Sequence, residues 1–327
     1  MNTHIGPTDF QLSDMRAHVL AAIAVERAPE RSRSIRTTTH RALAVAMIVA
    51  TVVVVLVLGN VTGILGGAHG GASASAAEVL NKAASLAASQ PDPIVQPGQF
   101  LRIETHSVDK TSGLSRGGNS VSWLVPSTSV IYRPYDVSDL WILERHQLKP
   151  TDFIGAGAQA EAEKEWSRQQ SEPLINGSTR APYGGLWGSS IENVGQLPTD
   201  ARKLYNHFTS TYRGGSNSPE EDTWVRIIDL LQTGSAPAQL RSALYRAAAF
   251  IPGVQVTGDD VTLDGHTAVV LGRIQSDRNE RQEMLIDKST GLFVGQREVT
   301  LKTQGMTPAG SIVSSSSVTT TVVDTAP

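Results

Sequence analysis

The sequence contains no cysteine among its 327 residues. This absence excludes disulfide bonds and every metal site that depends on thiolate ligands. The eight histidines are scattered and show neither His-x-His nor His-Glu-x-x-His spacing. We therefore expect no bound metal ion and no cofactor. An ordinary globular composition, with 40% apolar and 18% charged residues, still allows a domain with a sizeable core.

Charge is the second feature that the sequence lacks over a long interval. No Asp, Glu, Lys or Arg occurs between Arg41 and Glu78, and residues 42–65 form an uncharged, largely apolar run. As a helix, this run would be about 36 Å long, enough to cross a hydrocarbon layer of roughly 30 Å. We therefore predict that residues 42–65 are a single transmembrane helix in a lipid bilayer.

The charges on either side of this run predict its orientation. Residues 1–41 carry six arginines against four acidic residues, whereas no Lys or Arg follows the run until Lys82. The positive-inside rule then places the N-terminus in the cytoplasm. We predict a single-pass protein of the plasma membrane with a cytoplasmic arm, 1–41, and an extracytoplasmic C-terminal domain. Because that domain is net acidic, we expect no nucleic acid partner.

A cleaved leader is the competing interpretation of the same run. Ala72-Ser73-Ala74 and Ala74-Ser75-Ala76 both fit the small-residue pattern of signal-peptide cleavage sites. The charged arm and the long span do not fit a signal peptide, whose apolar region covers roughly 7 to 15 residues. We favour retention of the span, and the sequence leaves cleavage after this stretch open.

The cytoplasmic arm contains a pattern typical of a short amphipathic helix. Its apolar residues recur at spacings of three and four, so they lie on one face. These candidate partner-contact residues are Leu12, Met15, Val19 and Ile23. Two roles remain open for this stripe: packing against the membrane or its own span, or docking a sigma factor or another cytoplasmic regulator.

The remaining chain divides into a linker and one domain. Residues 66–98 predict a flexible linker that includes a short alanine-rich helix, and 99–327 predict the domain. Strand patterns at both ends of 99–327 flank central helices, one of which starts at a cap of the form Ser218-Pro219-Glu220-Glu221. We predict an α+β fold: a curved antiparallel sheet, or half-barrel, with helices packed on one face, preceded by one transmembrane helix.

Two local motifs suggest catalysis but lack the context that each requires. GAGAQA at 155–160 matches a dinucleotide fingerprint, yet Pro150 and Asp152 stand where a buried strand should precede it. Ser107 and Lys110 match Ser-x-x-Lys, but this tetrad follows a strand pattern and does not start a helix. We therefore predict no catalytic residues and a protein that is not an enzyme.

Two aromatic residues are the candidate ligand contacts. Tyr183 and Trp187 lie in the glycine-rich segment APYGGLWGSS, where a loop aromatic has little reason to belong to a core. Trp123, Trp141 and Trp224, in contrast, fall on strand or helix patterns and are expected in the core.

Several motifs resemble, in order, an actinobacterial family of single-pass membrane proteins with an uncharacterised extracytoplasmic region. They are AAEVLNKAASLAA, PGQFLRIET, GQLPTDARKLYNHF, LRSALYRAAAFIPGVQV and MLIDKSTGLFVGQREV. Genes of this family often neighbour those of extracytoplasmic-function sigma factors, which implies a regulator similar to anti-sigma factors. The domain also resembles the lipoprotein-carrier fold of LolA and RseB. The cysteine-free arm departs from zinc-type anti-sigma domains.

The sequence thus favours a membrane-anchored, non-enzymatic envelope sensor or regulator that resembles an anti-sigma factor. One alternative is an extracytoplasmic domain that binds or carries an envelope lipid or lipoprotein. The other is an envelope hydrolase, which would require a convergent polar site.

Overall fold

The structure is a computed structural model that describes residues 71–172, 175–182, 194–275 and 277–327. The predicted arm and the predicted span at 42–65 lie outside the described residues, so both remain predictions. None of the helices within the described ranges is long and apolar enough to cross a bilayer.

The strands of the described residues form one antiparallel sheet. Its order is β5-β3-β2-β1-β10-β9-β8-β7-β6, and β4 pairs with β2 on the same side as β3. The strands are β1 Phe100–Leu114, β2 Ser120–Pro134, β3 Trp141–Gln147, β4 Thr151–Ile154, β5 Gly177–Ala181, β6 Gln255–Val261, β7 Thr267–Gln275, β8 Glu280–Asp287, β9 Phe293–Thr300 and β10 Ile312–Val323.

The helices lie before the sheet, between β4 and β5, and between the two groups of strands. They are α1 Ala74–Ser89, α2 Ala158–Gln169, α3 Ala201–Ser210, α4 Pro219–Gln232 and α5 Ala238–Ala248, with a short 3-10 turn at Val194–Gln196. The predicted α+β class, with an antiparallel sheet and packed helices, is confirmed.

The main core lies between the sheet and four of these helices. Alternate residues of β1, Leu101 and Ile103, face this core, as the strand period of two requires. Trp224 and Leu244 from the helices are fully buried against them. We call this side of the sheet, which packs against α1, α3, α4 and α5, the helix face.

Helix α4 shows how the local sequence defines an element. Ser218 caps the helix, and its hydroxyl accepts a hydrogen bond from the amide of Glu221 at 3.2 Å. Pro219 occupies the first helical position, where no amide donor is required. Ile227 and Ile228 then face the core. The predicted start of this helix is confirmed.

Helix α1 is part of the main core, so packed structure begins well before Gln99. Leu80 and Ala84 are fully buried in it. The chain just ahead of α1 is also fixed, because the amide of Ala72 donates to the carbonyl of Ala249. The alanine-rich helix predicted within 66–98 is present, and it packs against the same core as the sheet.

The other side of the sheet is covered in part by the turn between β6 and β7. Leu263 in this turn packs against Val108 of β1 and Leu124 of β2. Five strand spacings separate β6 from β1, about 24 Å in a flat sheet. The contact therefore requires a strongly curved sheet, in agreement with the prediction. We call this side the hairpin face.

Strand β2 corrects one expectation from the sequence. The segments VSWLVP and SVIYRP predict two strands with a turn between them, but Ser120–Pro134 is a single strand. Pro126 does not break the strand. Its carbonyl accepts a hydrogen bond from the amide of Leu148, on the side of β2 that faces β3 and β4. The amide hydrogen that proline lacks would point to the same side, at the boundary between β3 and β4. The hydrogen bonds between β2 and β1 are therefore retained.

Candidate functional site

An apolar groove runs between α1 and the end of the sheet that holds β7 and β8. Its volume is about 190 Å³. The α1 residues that line the groove recur at spacings of three and four, so they form one stripe on the side of the helix that faces the groove. The lining residues are Val79, Lys82, Ala83, Leu86, Val269, Ile286, Asp287, Lys288 and Gly291. We call this feature the α1 groove.

Gly291 fixes the distance between α1 and the turn that joins β8 to β9. Its φ of +70° lies in the left-handed region. A Cβ atom at this position would come within 2.6 Å of the Ala83 carbonyl oxygen and 2.7 Å of the Leu86 Cβ. Any larger residue would therefore push α1 away from the sheet.

The β8–β9 turn that carries Gly291 is held by Asp287. Its carboxylate accepts hydrogen bonds from the amides of Ser289 and Thr290 and from both hydroxyls. Although partial burial opposes the shift, these bonds lower the pKa of Asp287 to about 2. The turn is therefore stabilised by an ionised carboxylate at any physiological pH.

Two lysines lie at the rim of the α1 groove. Lys288 forms an ion pair with Asp259 of β6 at 2.7 Å, in which both side chains are well exposed. Lys82 is exposed on α1 and forms no ion pair with another described residue. The groove thus combines an apolar floor with a rim that carries charges of both signs, Lys82 and Lys288 beside the ionised Asp287, and its floor suits an apolar group.

The size of the groove limits what it can hold. Pockets for drug-sized ligands are usually about 300–1,000 Å³. At about 190 Å³ the α1 groove accommodates part of an acyl chain or one apolar side chain of a partner, rather than a whole lipid.

A second cavity, of about 380 Å³, is polar. It is lined by Asp109, Lys110, Glu280, Glu298, Thr300, Gln304, Thr307, Val313 and Ser314. Burial and the nearby charges of Glu280 and Asp109 raise the pKa of Glu298. The Ser314 hydroxyl donates to Asp109 at 2.6 Å. Its walls offer hydroxyl, amide and carboxylate groups but little apolar surface.

The hairpin face carries a buried network of charges. Glu283 is fully buried and pairs with Arg281 and Arg297, and Arg297 also pairs with Asp260 of β6. Because β6 and β9 are three strands apart, the pair between Arg297 and Asp260 holds the curvature of the sheet. This network has a structural role.

A second set of polar contacts holds the β6–β7 turn against β1 and β10. The ring of His106 lies 2.6 Å from a carboxylate oxygen of Asp264, whose other oxygen accepts from the hydroxyl of Ser317. The hydrogen bond to Asp264 and the nearby carboxylate of Glu104, 3.6 Å from the other ring nitrogen, raise the pKa of His106 to about 9. His106 is therefore an imidazolium at neutral pH, and it joins two acidic side chains.

The residues singled out from the sequence do not meet in one site. Leu12, Met15, Val19 and Ile23, and also Tyr183 and Trp187, lie outside the described residues. The sequence does not reveal the α1 groove, because the alanine-rich stretch predicts a helix within a linker. The spacing of Val79, Ala83 and Leu86 is the signal that could have identified it.

The two motifs with a catalytic resemblance have other roles in the structure. Ser107 lies within β1, and its hydroxyl is 2.8 Å from that of Ser127 on β2. Lys110 is further along the same strand, where it donates to Ser112. The strand that precedes GAGAQA, β4, has no buried residue, as expected, and it is antiparallel to β2. A dinucleotide fingerprint requires a parallel strand at this point.

The three tryptophans expected in the core are buried there. Trp123 and Trp141 lie on β2 and β3, and Trp224 lies on α4. In the part of the chain that the structure describes, no group of three or more His, Asp or Glu side chains is placed to hold a metal ion.

Comparisons with known proteins match this chain to solved structures alone. No protein-family model matches this chain, and no curated protein matches it. Among solved structures, it is similar to that of the Pseudomonas aeruginosa MucA/MucB complex, with 12% identity and a TM-score of 0.25 over 78% of this chain and 59% of that one.

Two further structures are similar at the same level. One is MucB, at 12% identity over 79% of this chain and 61% of that one, with a TM-score of 0.24. The other is a DUF1329 family protein from Desulfovibrio piger, at 10% identity over 76% and 91%, with a TM-score of 0.19. This chain spans about three fifths of the MucB chains. Superpositions at these TM-scores assign no role to it.

Proposed function

We propose that this chain is a membrane-anchored, non-enzymatic envelope sensor or regulator whose extracytoplasmic domain responds to a ligand in the α1 groove. The predicted span at 42–65 would anchor the domain, and the arm at 1–41 would act in the cytoplasm. This assignment combines the sequence prediction of topology with the contacts of α1.

The position of α1 carries the proposal. This helix forms one wall of the groove, and it is also the first element after the predicted span. Only residues 66–70 separate the predicted end of the span from the described chain, a reach of at most about 18 Å. A ligand that displaces α1 would therefore pull directly on the membrane anchor, with no intervening domain.

The cytoplasmic partner of this proposal is a sigma factor or another regulator. Leu12, Met15, Val19 and Ile23 would present one apolar stripe to it. The support is the sequence pattern and the resemblance to a family encoded beside sigma factors. A pull-down with the full-length chain in nanodiscs should recover one specific cytoplasmic protein, and Val19→Asp with Ile23→Asp should abolish recovery.

A second candidate, a domain that binds an envelope lipid or lipoprotein, is favoured by the apolar floor of the groove. A carrier must enclose most of its cargo, and the small groove volume favours partial, reversible contact. In a sensor, ligand binding should therefore change the docking of α1, whereas a binding or carrier domain can bind the ligand with α1 unchanged.

Binding of laurate to the full-length chain in nanodiscs distinguishes these candidates. We expect saturable binding by titration calorimetry, and Val79→Trp should abolish it because the indole fills the groove. Hydrogen exchange of α1 amides should change several-fold on binding if the domain is a sensor.

The matched control is Lys164→Ala on α2, an exposed site far from α1 in the sequence, which should bind as the unaltered chain does. Equal binding by Val79→Trp would show that the groove is not the site. Binding with unchanged exchange of α1 would contradict the sensor and leave the binding module.

A further inference from the structure

The sequence Ala72-Ser73-Ala74-Ser75-Ala76 fits a small-residue cleavage site, and the structure places it at the start of α1. Residues from Ala74 onward are helical. Ser73 caps the helix, and its hydroxyl accepts from the amide of Ala76 at 3.2 Å. A peptidase would have to bind this backbone in an extended conformation, but from Ala74 onward the backbone is helical.

The residues just before the helix are held by the folded domain. The amide of Ala72 donates to Ala249 at 3.1 Å, and that of Ser73 donates to Val254 at 2.9 Å. Gly71 lies so close to this segment that a Cβ atom would be 2.4 Å from the Ala249 carbonyl oxygen. The candidate cleavage sequence is thus held by hydrogen bonds against the connection between α5 and β6.

We infer that Ala72–Ala76 is a latent cleavage site that is closed while α1 is docked, so that docking of α1 decides whether the domain stays attached to its span. The enzyme class is a signal-peptidase-like protease that accepts small residues one and three positions before the cut. Water adds across the peptide bond after Ala74 or Ala76, which leaves a carboxylate on that alanine and a free amine on Ser75 or Ala77.

This inference rests on the proposed membrane anchor and gives it a second consequence. Proteolysis of a folded chain follows the population of its locally opened form. The hydrogen bonds that the amides of Ala72, Ser73 and Ala76 donate must all break before a peptidase can bind the site. Whatever loosens α1, including a ligand in the α1 groove, would then release the domain from the membrane.

The test uses the full-length chain with a tag at each end, produced in a bacterial host and analysed by fractionation and by mass spectrometry of the new N-terminus. The unaltered chain should stay uncut in the membrane fraction. Gly71→Val, which forces this segment away from Ala249, should raise the fraction cut after Ala74 or Ala76 by about tenfold or more.

A second variant acts on α1 from a distance. Gly291→Val pushes against Ala83 and Leu86 and leaves the cleavage sequence unchanged, so it should also raise the cut fraction. Asn81→Ala, an exposed change on α1 outside the groove, is the control and should leave it unchanged. Adding Ala74→Phe and Ala76→Phe to either glycine variant should abolish the defined cuts, which separates specific cleavage from degradation of misfolded chain.

The outcomes separate this inference from the proposed function. Cleavage of the unaltered chain after Ala74 or Ala76 would overturn the inference, as would glycine variants that remain uncut although hydrogen exchange shows α1 opened. An uncut chain that is recovered in the soluble fraction would instead overturn the membrane anchor.

Discussion

The two faces of the sheet are buried by different means. On the helix face, apolar side chains such as Trp224 and Leu244 fill the space under the helices. On the hairpin face, Glu283 is equally inaccessible, but it is surrounded by Arg281 and Arg297. Apolar burial dominates the helix face, whereas the hairpin face combines smaller apolar clusters with completely paired buried charges, so the two should respond differently to salt and pH.

The largest effect is expected on the helix face. Trp224→Ala should lower the free energy of unfolding by about 3–5 kcal/mol, because it leaves a cavity in the main core. The loss should be the same at low and high salt, since no charge is removed. Denaturant titration at two salt concentrations measures it. A loss that depends strongly on salt would contradict the apolar description of this face.

A somewhat smaller effect is expected on the hairpin face. Glu283→Gln should cost about 3 kcal/mol, because it leaves two arginines without their buried carboxylate. Glu280→Gln on the same strand, at a half-buried site, is the matched control and should change stability by less than about 0.5 kcal/mol. If both variants have equally small effects in denaturant titrations, the buried network does not stabilise the curved sheet.

The contact between His106 and Asp264 predicts a dependence on pH. The folded pKa of His106, about 9, is above the ordinary value near 6.5 because of the hydrogen bond to Asp264 and the nearby carboxylate of Glu104. Its stabilisation is therefore fully present below about pH 6.5 and is lost as pH rises toward about 9. We expect the melting temperature of the unaltered protein to fall over this interval more than that of His106→Gln.

Parallel melting curves for the two proteins at intervals between these pH values provide the measurement. Identical pH dependence in both would mean that His106 does not hold the β6–β7 turn through its charge.

The smallest effect is expected at the cap of α4. Ser218→Ala should cost about 1 kcal/mol, because it removes the acceptor for the amide of Glu221. Ser218→Asp should retain most of the stability, since a carboxylate also accepts this bond. Thermal melting of both variants checks the expectation, and a loss in the aspartate variant as large as in the alanine variant would count against it.

The sequence predicts the helix face well because its signals are local. Ser218 and Pro219 define the start of α4, and the spacing of Ile227 and Ile228 identifies its buried side. The α+β class follows from such elements alone. The continuity of β2 through Pro126 does not, since it depends on which neighbouring strand the proline carbonyl faces.

The hairpin face and the α1 groove depend on contacts between distant segments. Glu283 ends the polar stretch ERQE of β8 and Arg297 lies in the polar stretch QRE of β9, a composition that also describes solvent-exposed charges. Only the curvature of the sheet buries them. The groove likewise forms between α1 and a turn about 200 residues further along the chain, where no local pattern links the two.

The central claim is that residues 42–65 span a membrane and hold the domain outside the cytoplasm. The absence of cysteine allows a direct test with single-cysteine variants, Ser34→Cys in the arm and Lys164→Cys at an exposed site of α2. A membrane-impermeant maleimide applied to cells with a permeable outer envelope and an intact plasma membrane should label Lys164→Cys alone. Labelling of both positions, or of neither until the cells are lysed, would contradict the account.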